Sequence, residues 1–129
     1  MAFAGGKTAG GPTITVDNRG GQGPGPVDTL LISLAACTSE DVLTILEKRR
    51  TPASRLHVEV EGTRANATPA RLTHIHLHYV VEGEGIDRAN TWRAIELAIT
   101  KYCSVRDSLD KSIPIEWSLE LNGVREANG

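Results

Sequence analysis

The sequence predicts one domain of the α+β class, and three observations lead to this prediction. The chain has 129 residues, which is about the size of a single domain. Several segments alternate polar and apolar residues as strands do, whereas two others carry apolar residues at helical spacing. The order of these segments is strands, helix, strand pair, helix, strand, without the regular repeat of a βαβ fold.

The first 26 residues predict a short hairpin that leads into a glycine-rich loop. Thr13–Val16 alternates in polarity, and the turn-forming segment 17–20 follows it. Segment 1–11 contains no long apolar stretch behind a basic start, which is how a signal peptide would begin. We therefore expect a cytoplasmic protein.

Residues 27–50 predict a central helix. Pro26 suits the first helical turn, Asp28 favours the positive end of the helix dipole, and Lys48 favours the negative end. Segment 30–37 has no polar face, so this helix must be covered on nearly all sides. The apolar run is interpreted as too short to span a bilayer, and protein is expected to cover it. A tightly packed dimer would provide that cover.

The rest of the chain predicts a strand pair, a second helical region and a final strand. Residues 55–82 alternate in polarity on both sides of a turn, which favours two antiparallel strands. In region 87–110, Asp87 is a candidate N-cap before apolar residues at helical spacing. Residues 113–122 form the clearest strand, and the tail after them is expected to fray.

Composition and charge exclude several classes of function. The chain is 40% hydrophobic and 23% charged, as ordinary globular proteins are. Its formal net charge of -2 gives no reason to expect nucleic acid or an anionic membrane as a partner. In a reducing compartment its two cysteines are either small buried residues or redox-active thiols.

The two cysteines differ in position. Cys37 lies inside the central helix, where burial alone would raise the pKa of its thiol and leave it inert. Reactivity therefore requires a cation or a hydrogen-bond donor from elsewhere in the fold. Cys103 ends the second helix, so a bridge to Cys37 requires the two helices to meet. Judged by residue type alone, both cysteines are better interpreted as small core residues than as redox-active thiols.

Two motifs surround these cysteines and resemble those of the OsmC/Ohr superfamily. The first is the central-helix motif, Gly-Pro-Gly-Pro-Val-Asp-Thr-Leu-Leu at 23–31, followed by Ala-Ala-Cys-Thr at 35–38 and Asp-Val at 41–42. The second is Lys-Tyr-Cys-Ser-Val at 101–105, with Leu109 after it. The likeness extends in element order over most of the chain and is greatest to the OsmC-like branch.

The resemblance implies an OsmC/Ohr-like fold, with antiparallel sheets around two central helices in an intertwined homodimer. It also implies a peroxidase that reduces small-molecule organic hydroperoxides in response to oxidative stress. Cys37 would be the peroxidatic cysteine and Cys103 the resolving one. An external dithiol would restore the pair, and no metal or other cofactor is expected.

The motif match also indicates where supporting residues should be sought. In the well-known enzymes an N-terminal arginine pairs with the reactive thiolate, and a glutamate near the start of the central helix orients that arginine. Here Val27 occupies the glutamate position, and Asp28 lies beside it. Asp28, Glu40 and Arg19 are therefore the candidate supporting residues. Asp28 could instead complement the helix dipole, and Glu40 could be solvated.

Three further features of the sequence bear on a possible site. Early in the chain, Lys7 is the other basic residue besides Arg19. Arg106 is either a surface residue or a cation near Cys103. The histidines at 74, 76 and 78 could ligate a metal, but the solvated face of an amphipathic strand is the better interpretation.

A noncatalytic function is the alternative to the peroxidase. The same dimer could bind a small hydrophobic ligand, with its cysteines serving as packing or as a redox sensor. Loss of thiols on exposure to peroxide would distinguish the two hypotheses.

Overall fold

A computed structural model describes residues 1–6 and 9–126. The elements follow in the order β1 (Phe3–Gly6), β2 (Thr13–Val16), α1 (Pro26–Lys48), β3 (Arg55–Arg64), β4 (Leu72–Glu82), α2 (Arg88–Leu97), a π-helical turn (Ala98–Tyr102), α3 (Ser104–Asp107), β5 (Ile115–Leu121) and β6 (Val124–Glu126). They fall into two compact units, 1–32 and 33–129, and α1 begins in the first unit and continues in the second. The assignment of 1–129 to one domain stays a prediction.

The first unit is built on an antiparallel hairpin. β1 pairs with β2 so that Phe3 lies opposite Val16 and Gly6 lies opposite Thr13. The predicted strand is therefore present, but its partner precedes it in the chain. The segment after β2 forms a loop around Asp17, whose buried carboxylate accepts hydrogen bonds from the backbone N–H groups of Arg19, Gly20 and Gln22. These bonds lower the pKa of Asp17.

Helix α1 buries one stripe of its surface in the second unit. Leu34, Thr38, Val42 and Leu46 are fully buried, and their spacing of four residues places them on one side of the helix. The other sides are covered less. Leu30 is 39% exposed and Ile32 is 49% exposed.

The length of α1 corrects one expectation from the sequence. The helix has 23 residues and contains an 18-residue window of mean hydropathy 1.5, of which a third is buried. By length and composition it could cross a membrane, so the interpretation that it is too short to do so is wrong. Its buried stripe nevertheless packs within the protein, because the Thr38 hydroxyl lies 2.6 Å from the Tyr79 hydroxyl of β4.

The main sheet has four strands in the order β3-β4-β5-β6. β3 and β4 pair antiparallel, as the strand prediction for 55–82 requires. β4 and β5 pair parallel, with Ile75 opposite Ile115 and Val81 opposite Leu121, and so depart from the antiparallel pattern. The chain reaches β5 through α2 and α3, and a parallel neighbour requires a crossover of this kind.

The end of the chain differs from its prediction. Val124–Glu126 is not a frayed tail but strand β6, which pairs antiparallel with β5. Asn122 and Gly123 connect the two strands and both have positive φ, 48° and 82°. Two such residues form the tight turn that hairpins prefer, and Asn-Gly is its usual sequence. Residues 127–129 lie outside the described range.

The second helical region is divided into three parts. Asp87 caps α2, since its side chain accepts a hydrogen bond from the backbone N–H of Asn90, as predicted. Trp92 of α2 contacts Trp117 of β5, with ring centroids 5.9 Å apart, so it serves packing. The π-helical turn and α3 then replace a continuous helix and position Cys103.

Candidate functional site

The two cysteines meet in the second unit. Cys37 lies midway along α1 and is half-buried, whereas Cys103 lies between the π-helical turn and α3 and is 3% exposed. Both are free thiols, and their sulfurs are close enough to share a hydrogen bond. The structure thus brings together two residues that are 66 positions apart in the sequence.

The π-helical turn explains how Cys103 reaches this position. Its backbone N–H donates to the carbonyl oxygen of Ala98, five residues earlier, at 2.9 Å. A turn of this width displaces the following residue relative to an ordinary helix and is frequent at functional sites. Cys103 itself is extended, with φ -73° and ψ 111°, so the chain changes direction there and α3 begins.

Cys103 also caps α3. Its sulfur accepts a hydrogen bond from the backbone N–H of Arg106 at 3.3 Å. The cap places the first backbone N–H groups of α3 next to the Cys37 sulfur. The Ser104 hydroxyl lies 3.9 Å from that sulfur.

These contacts lower the pKa of Cys37. Burial by itself raises the pKa of this thiol, but hydrogen bonds from the Val105 backbone, the Cys103 thiol, and the Ser104 hydroxyl and backbone outweigh that effect. The donors stabilise the thiolate more than the thiol. The pKa of Cys37 therefore lies below its ordinary value of 9.0.

The pKa of Cys103 shifts in the opposite direction. The pKa of Cys103 is raised to about 11: burial is the largest cause, and the contact with Cys37 adds to it because two adjacent thiolates repel each other. A hydrogen bond from the Arg106 backbone acts in the opposite direction. Cys37 therefore loses its proton before Cys103, and the first negative charge of the pair resides on Cys37. The site thus combines a nucleophilic sulfur with a protonated thiol beside it.

The candidate supporting residues lie as follows. Arg19 and Asp28 belong to the first unit and are exposed, as is Glu40 in the second. The backbone N–H of Arg19 donates to Asp17, and Asp28 lies in the first turn of α1. Glu40, which lies in the same unit as Cys37, does not contribute to the pKa shift of that thiol. Lys7 lies outside the described residues.

Arg106 is half-buried, and its backbone and side chain have separate roles. The backbone N–H contacts the Cys103 sulfur. The guanidinium donates to the carbonyl oxygens of Asp110, Lys111 and Ile113, which hold the loop before β5. Arg106 is therefore a structural cation near Cys103.

Sequence reasoning assigned no role to Ser104 and Val105, the residues that supply donors to Cys37. A serine directly after a helix-capping residue is a signal for an additional hydroxyl donor. The meeting of this segment with α1 is a tertiary contact, which the local pattern does not indicate. Asp41, one turn after Cys37, was also given no role. Burial raises its pKa, and the charge of Glu40 raises it further.

The three histidines of β4 are occupied by side-chain contacts. The Ser118 hydroxyl lies 3.0 Å from His76 Nε2 and 2.6 Å from His78 Nδ1, and His74 lies 3.4 Å from Glu116. Over residues 1–6 and 9–126, no group of three or more His, Cys, Asp or Glu side chains is placed to hold a metal ion.

Similar proteins support a common family. Protein YhfA of Escherichia coli K12 is 35% identical over 117 residues, which cover 90% of this chain and 87% of that protein. The crystal structure of an OsmC-like protein from Mycoplasma pneumoniae superposes with a TM-score of 0.76 at 21% identity, covering 94% of this chain and 95% of that one. The organic hydroperoxide resistance protein OhrB of Bacillus subtilis gives 0.57 at 13% identity, covering 93% and 96%. The last two likenesses show the fold alone.

The part of the chain that matches a known protein family includes both cysteines. The family described as OsmC-like protein matches residues 19–118, which contain α1, the main sheet through most of β5, and the π-helical turn. With the OsmC/Ohr fold of the solved structures, this match establishes that the chain belongs to the OsmC-like protein family.

Proposed function

We propose that this protein is a thiol-dependent peroxidase that reduces organic hydroperoxides, with Cys37 as the peroxidatic and Cys103 as the resolving cysteine. The observation that carries the proposal is the opposed shift of two adjacent thiols: the pKa of Cys37 is lowered and that of Cys103 is raised. A two-cysteine peroxidase uses such a pair, because one sulfur attacks the peroxide as a thiolate. The other stays protonated until the first has become a sulfenic acid. The likeness to a hydroperoxide resistance protein agrees with this chemistry.

The reaction follows from the two thiols. The Cys37 thiolate attacks the terminal oxygen of the hydroperoxide, the O–O bond breaks, and the alkoxide takes a proton and leaves as an alcohol. Cys37 is then a sulfenic acid. The Cys103 sulfur attacks it, loses its proton and expels water, which forms the Cys37–Cys103 disulfide. An external dithiol reduces the disulfide to two thiols.

In this proposal, hydrogen-bond donors of the 103–106 segment activate the nucleophile. Backbone N–H groups of Ser104 and Val105 and the Ser104 hydroxyl stabilise the Cys37 thiolate. They have the effect on the thiolate that the arginine has in the well-known enzymes. Supporting roles for Arg19, Asp28 and Glu40 stay a prediction.

Thiol counting tests the proposal. The reduced protein is incubated with cumene hydroperoxide, and free thiols are counted with and without denaturant. Loss of two thiols per subunit is the expected result, and subsequent addition of a dithiol should restore both. Unchanged thiols would contradict the peroxidase and support a noncatalytic protein that binds a hydrophobic ligand.

We also propose a cytoplasmic homodimer as the functional form. Leu30 and Ile32 of α1 are 39% and 49% exposed on a helix whose sequence is apolar on nearly all sides. A second copy of the chain would remove these side chains from water, at about 25 cal/mol per Å² of apolar surface. No metal or nucleic acid has a role in this proposal.

A further inference from the structure

The face of the main sheet that is turned away from α1 carries a row of histidines. Tyr79 of β4 is fully buried and contacts Thr38 of α1, so it lies on the face of the sheet that packs against this helix. Side chains alternate along a strand, and His74, His76 and His78 therefore lie together on the opposite face. These three imidazoles are half-buried. The row lies on the other side of the sheet from the helix that carries the proposed peroxidatic cysteine.

Two of these histidines direct ring nitrogens at the same point. His76 Nε2 lies 3.0 Å from the hydroxyl oxygen of Ser118 on β5, and His78 Nδ1 lies 2.6 Å from that same oxygen. A small movement of the rings would bring both nitrogens to the ligand distance of about 2.0–2.1 Å that imidazole has to a metal ion. The Ser118 hydroxyl occupies the point at present, and a change of its side-chain rotamer would vacate it.

Carboxylates on both neighbouring strands favour a cation at this point. On β3, Glu59 lies opposite His78 and Glu61 lies opposite His76. On β5, Glu116 lies opposite His76 on the other side. Residues paired across strands share a face of the sheet, and all three glutamates are exposed, so their side chains can turn towards an ion between them. Their negative charge lowers the electrostatic energy of a cation beside the two imidazoles.

We propose that His76 and His78 form a binding site for a divalent late transition metal ion. Imidazole nitrogen is a preferred ligand of such ions, of which Ni²⁺ and Cu²⁺ are examples. Among residues 1–6 and 9–126, no three His, Cys, Asp or Glu side chains surround a common point, so water and one of the exposed glutamates would complete the coordination. The inference is independent of the proposed peroxidase, because neither cysteine takes part in it.

Arg125 of β6 opposes an ion at this site. Its Nη2 lies 3.2 Å from His78 Nε2. A guanidinium can only donate, so in the neutral imidazole this contact places the acceptor at Nε2 and the proton at Nδ1. An ion on Nδ1 requires that proton to move to Nε2, where it would face the guanidinium, and the positive charge of Arg125 also repels the ion. Removing this cation should therefore strengthen metal binding, whereas removing either imidazole should weaken it.

Calorimetric titration with Ni²⁺ tests the site. The full-length protein is used without an affinity tag, at a slightly alkaline pH that keeps imidazoles neutral. His76→Gln and His78→Gln should each weaken binding about tenfold or more, because each removes one of the two nitrogen ligands. His57→Gln is the matched control: His57 is exposed on β3 and pairs with Val80 rather than with either histidine. Absence of binding by the unaltered protein, or equal weakening in the control, would overturn the inference.

Arg125→Gln is a variant that should gain affinity. Without the guanidinium beside His78, the protein should bind Ni²⁺ several-fold more tightly than the unaltered chain. A folding defect cannot produce such a gain, so this result separates the loss of a ligand in the histidine variants from the loss of structure. An affinity that stays the same or falls would contradict an ion placed between His76 and His78.

The two cysteines are the competing ligands, since thiolates also bind late transition metals. Cys37→Ser and Cys103→Ser are therefore titrated with Ni²⁺ under the same conditions. Both should keep the affinity of the unaltered protein, because the histidine row lies on the other face of the sheet from α1. Loss of binding in either cysteine variant, with binding retained in His76→Gln and His78→Gln, would place the ion on the thiol pair and overturn the inference.

Discussion

At the scale of single residues, the site depends on an asymmetry between two sulfurs. Both thiols are removed from water to some degree, which raises the pKa of each. They differ in their hydrogen bonds. Cys37 accepts hydrogen bonds from the Ser104 and Val105 backbones, the Ser104 hydroxyl and the Cys103 thiol, and these lower its pKa. Cys103 accepts from backbone N–H groups, but its contact with Cys37 raises its pKa. Donors therefore decide which sulfur holds the charge, since burial alone would leave both protonated.

Replacing Ser104 should change the pKa of Cys37 without removing either sulfur. Ser104→Ala deletes the hydroxyl 3.9 Å from Cys37 but keeps the backbone donors. We expect the pKa of Cys37 to rise, because one of the donors that stabilise its thiolate is lost. The pKa of Cys37 is measured from the rate of iodoacetamide alkylation as a function of pH, because only the thiolate reacts and its fraction falls as pH falls through the pKa. The curve of rate against pH should therefore move to higher pH in the variant.

Ser108→Ala is the control for this change. The Ser108 hydroxyl donates to the carbonyl oxygen of Ser104 at 2.8 Å and contributes nothing to the Cys37 pKa. Its alkylation curve should coincide with that of the unaltered protein. A Ser104→Ala curve that also coincides would show that the hydroxyl does not stabilise the thiolate.

Sequence reasoning could identify the cysteines but not the donors. The two motifs around Cys37 and Cys103 predict a thiol pair through their resemblance to a family, and the position of Cys37 inside α1 implies that its activating group comes from elsewhere. That group is the start of α3. Its location depends on a five-residue turn at Ala98–Tyr102, which has no distinct pattern in the sequence.

At the scale of elements, α1 is held to the sheet by its buried stripe. Thr38 is the polar member of that stripe: its hydroxyl contacts the carbonyl oxygen of Leu34 at 3.0 Å and the Tyr79 hydroxyl at 2.6 Å. Burial raises the pKa of Tyr79 well above its ordinary value, so this phenol stays protonated. The contact fixes the turn of α1 next to Cys37 against β4.

Thr38→Val should destabilise the protein while preserving side-chain volume. It leaves the fully buried Tyr79 hydroxyl without its partner, and an unpaired buried group of this kind costs about 1–3 kcal/mol. Urea unfolding measures the free energy. Thr44→Val is the control, because Thr44 is exposed and donates only to the carbonyl oxygen of Glu40 in its own helix. Equal stabilities of the two variants would contradict the role of the Thr38–Tyr79 contact.

Element prediction succeeded where the pattern is local. Alternating polarity predicted β3, β4 and β5, and the capping residue Asp87 predicted the start of α2. The parallel pairing of β4 with β5 is not a local property, because strands of the same polarity pattern can pair in either direction. Strand β6 could have been predicted, since Asn122 and Gly123 form a strong turn signal.

At the scale of the whole molecule, the exposed side of α1 is the main feature still to be explained. A helix with this composition is normally covered on all sides, yet only a third of its most apolar window is buried within one chain. A second copy of the protein is the cover that we propose.

Sedimentation should therefore show a dimer that does not dissociate before it unfolds. Separating the subunits would return Leu30 and Ile32 to the 39% and 49% exposure that they have in the single chain, which makes a folded monomer unfavourable. The midpoint of unfolding should rise with protein concentration, because dissociation accompanies unfolding. A well-folded monomer at micromolar concentration would contradict the homodimer.

Substrate size gives a second prediction at this scale. A site beside an apolar helix can bury a hydrocarbon group at about 25 cal/mol per Å² but gains little from a small polar peroxide. Cumene hydroperoxide should consequently react faster than hydrogen peroxide. The ratio of their second-order rate constants measures this preference, and a ratio near one would place the site outside an apolar pocket.

The division of roles between the two cysteines is tested most directly by mass spectrometry of their single variants after exposure to cumene hydroperoxide and dimedone. Cys103→Ser should carry a dimedone adduct on Cys37, because the attacking thiol still forms a sulfenic acid that nothing resolves. Cys37→Ser should consume no peroxide and keep Cys103 reduced, since burial, which the variant keeps, raises the pKa of Cys103. An adduct on Cys103 in the second variant, with none on Cys37 in the first, would reverse the roles.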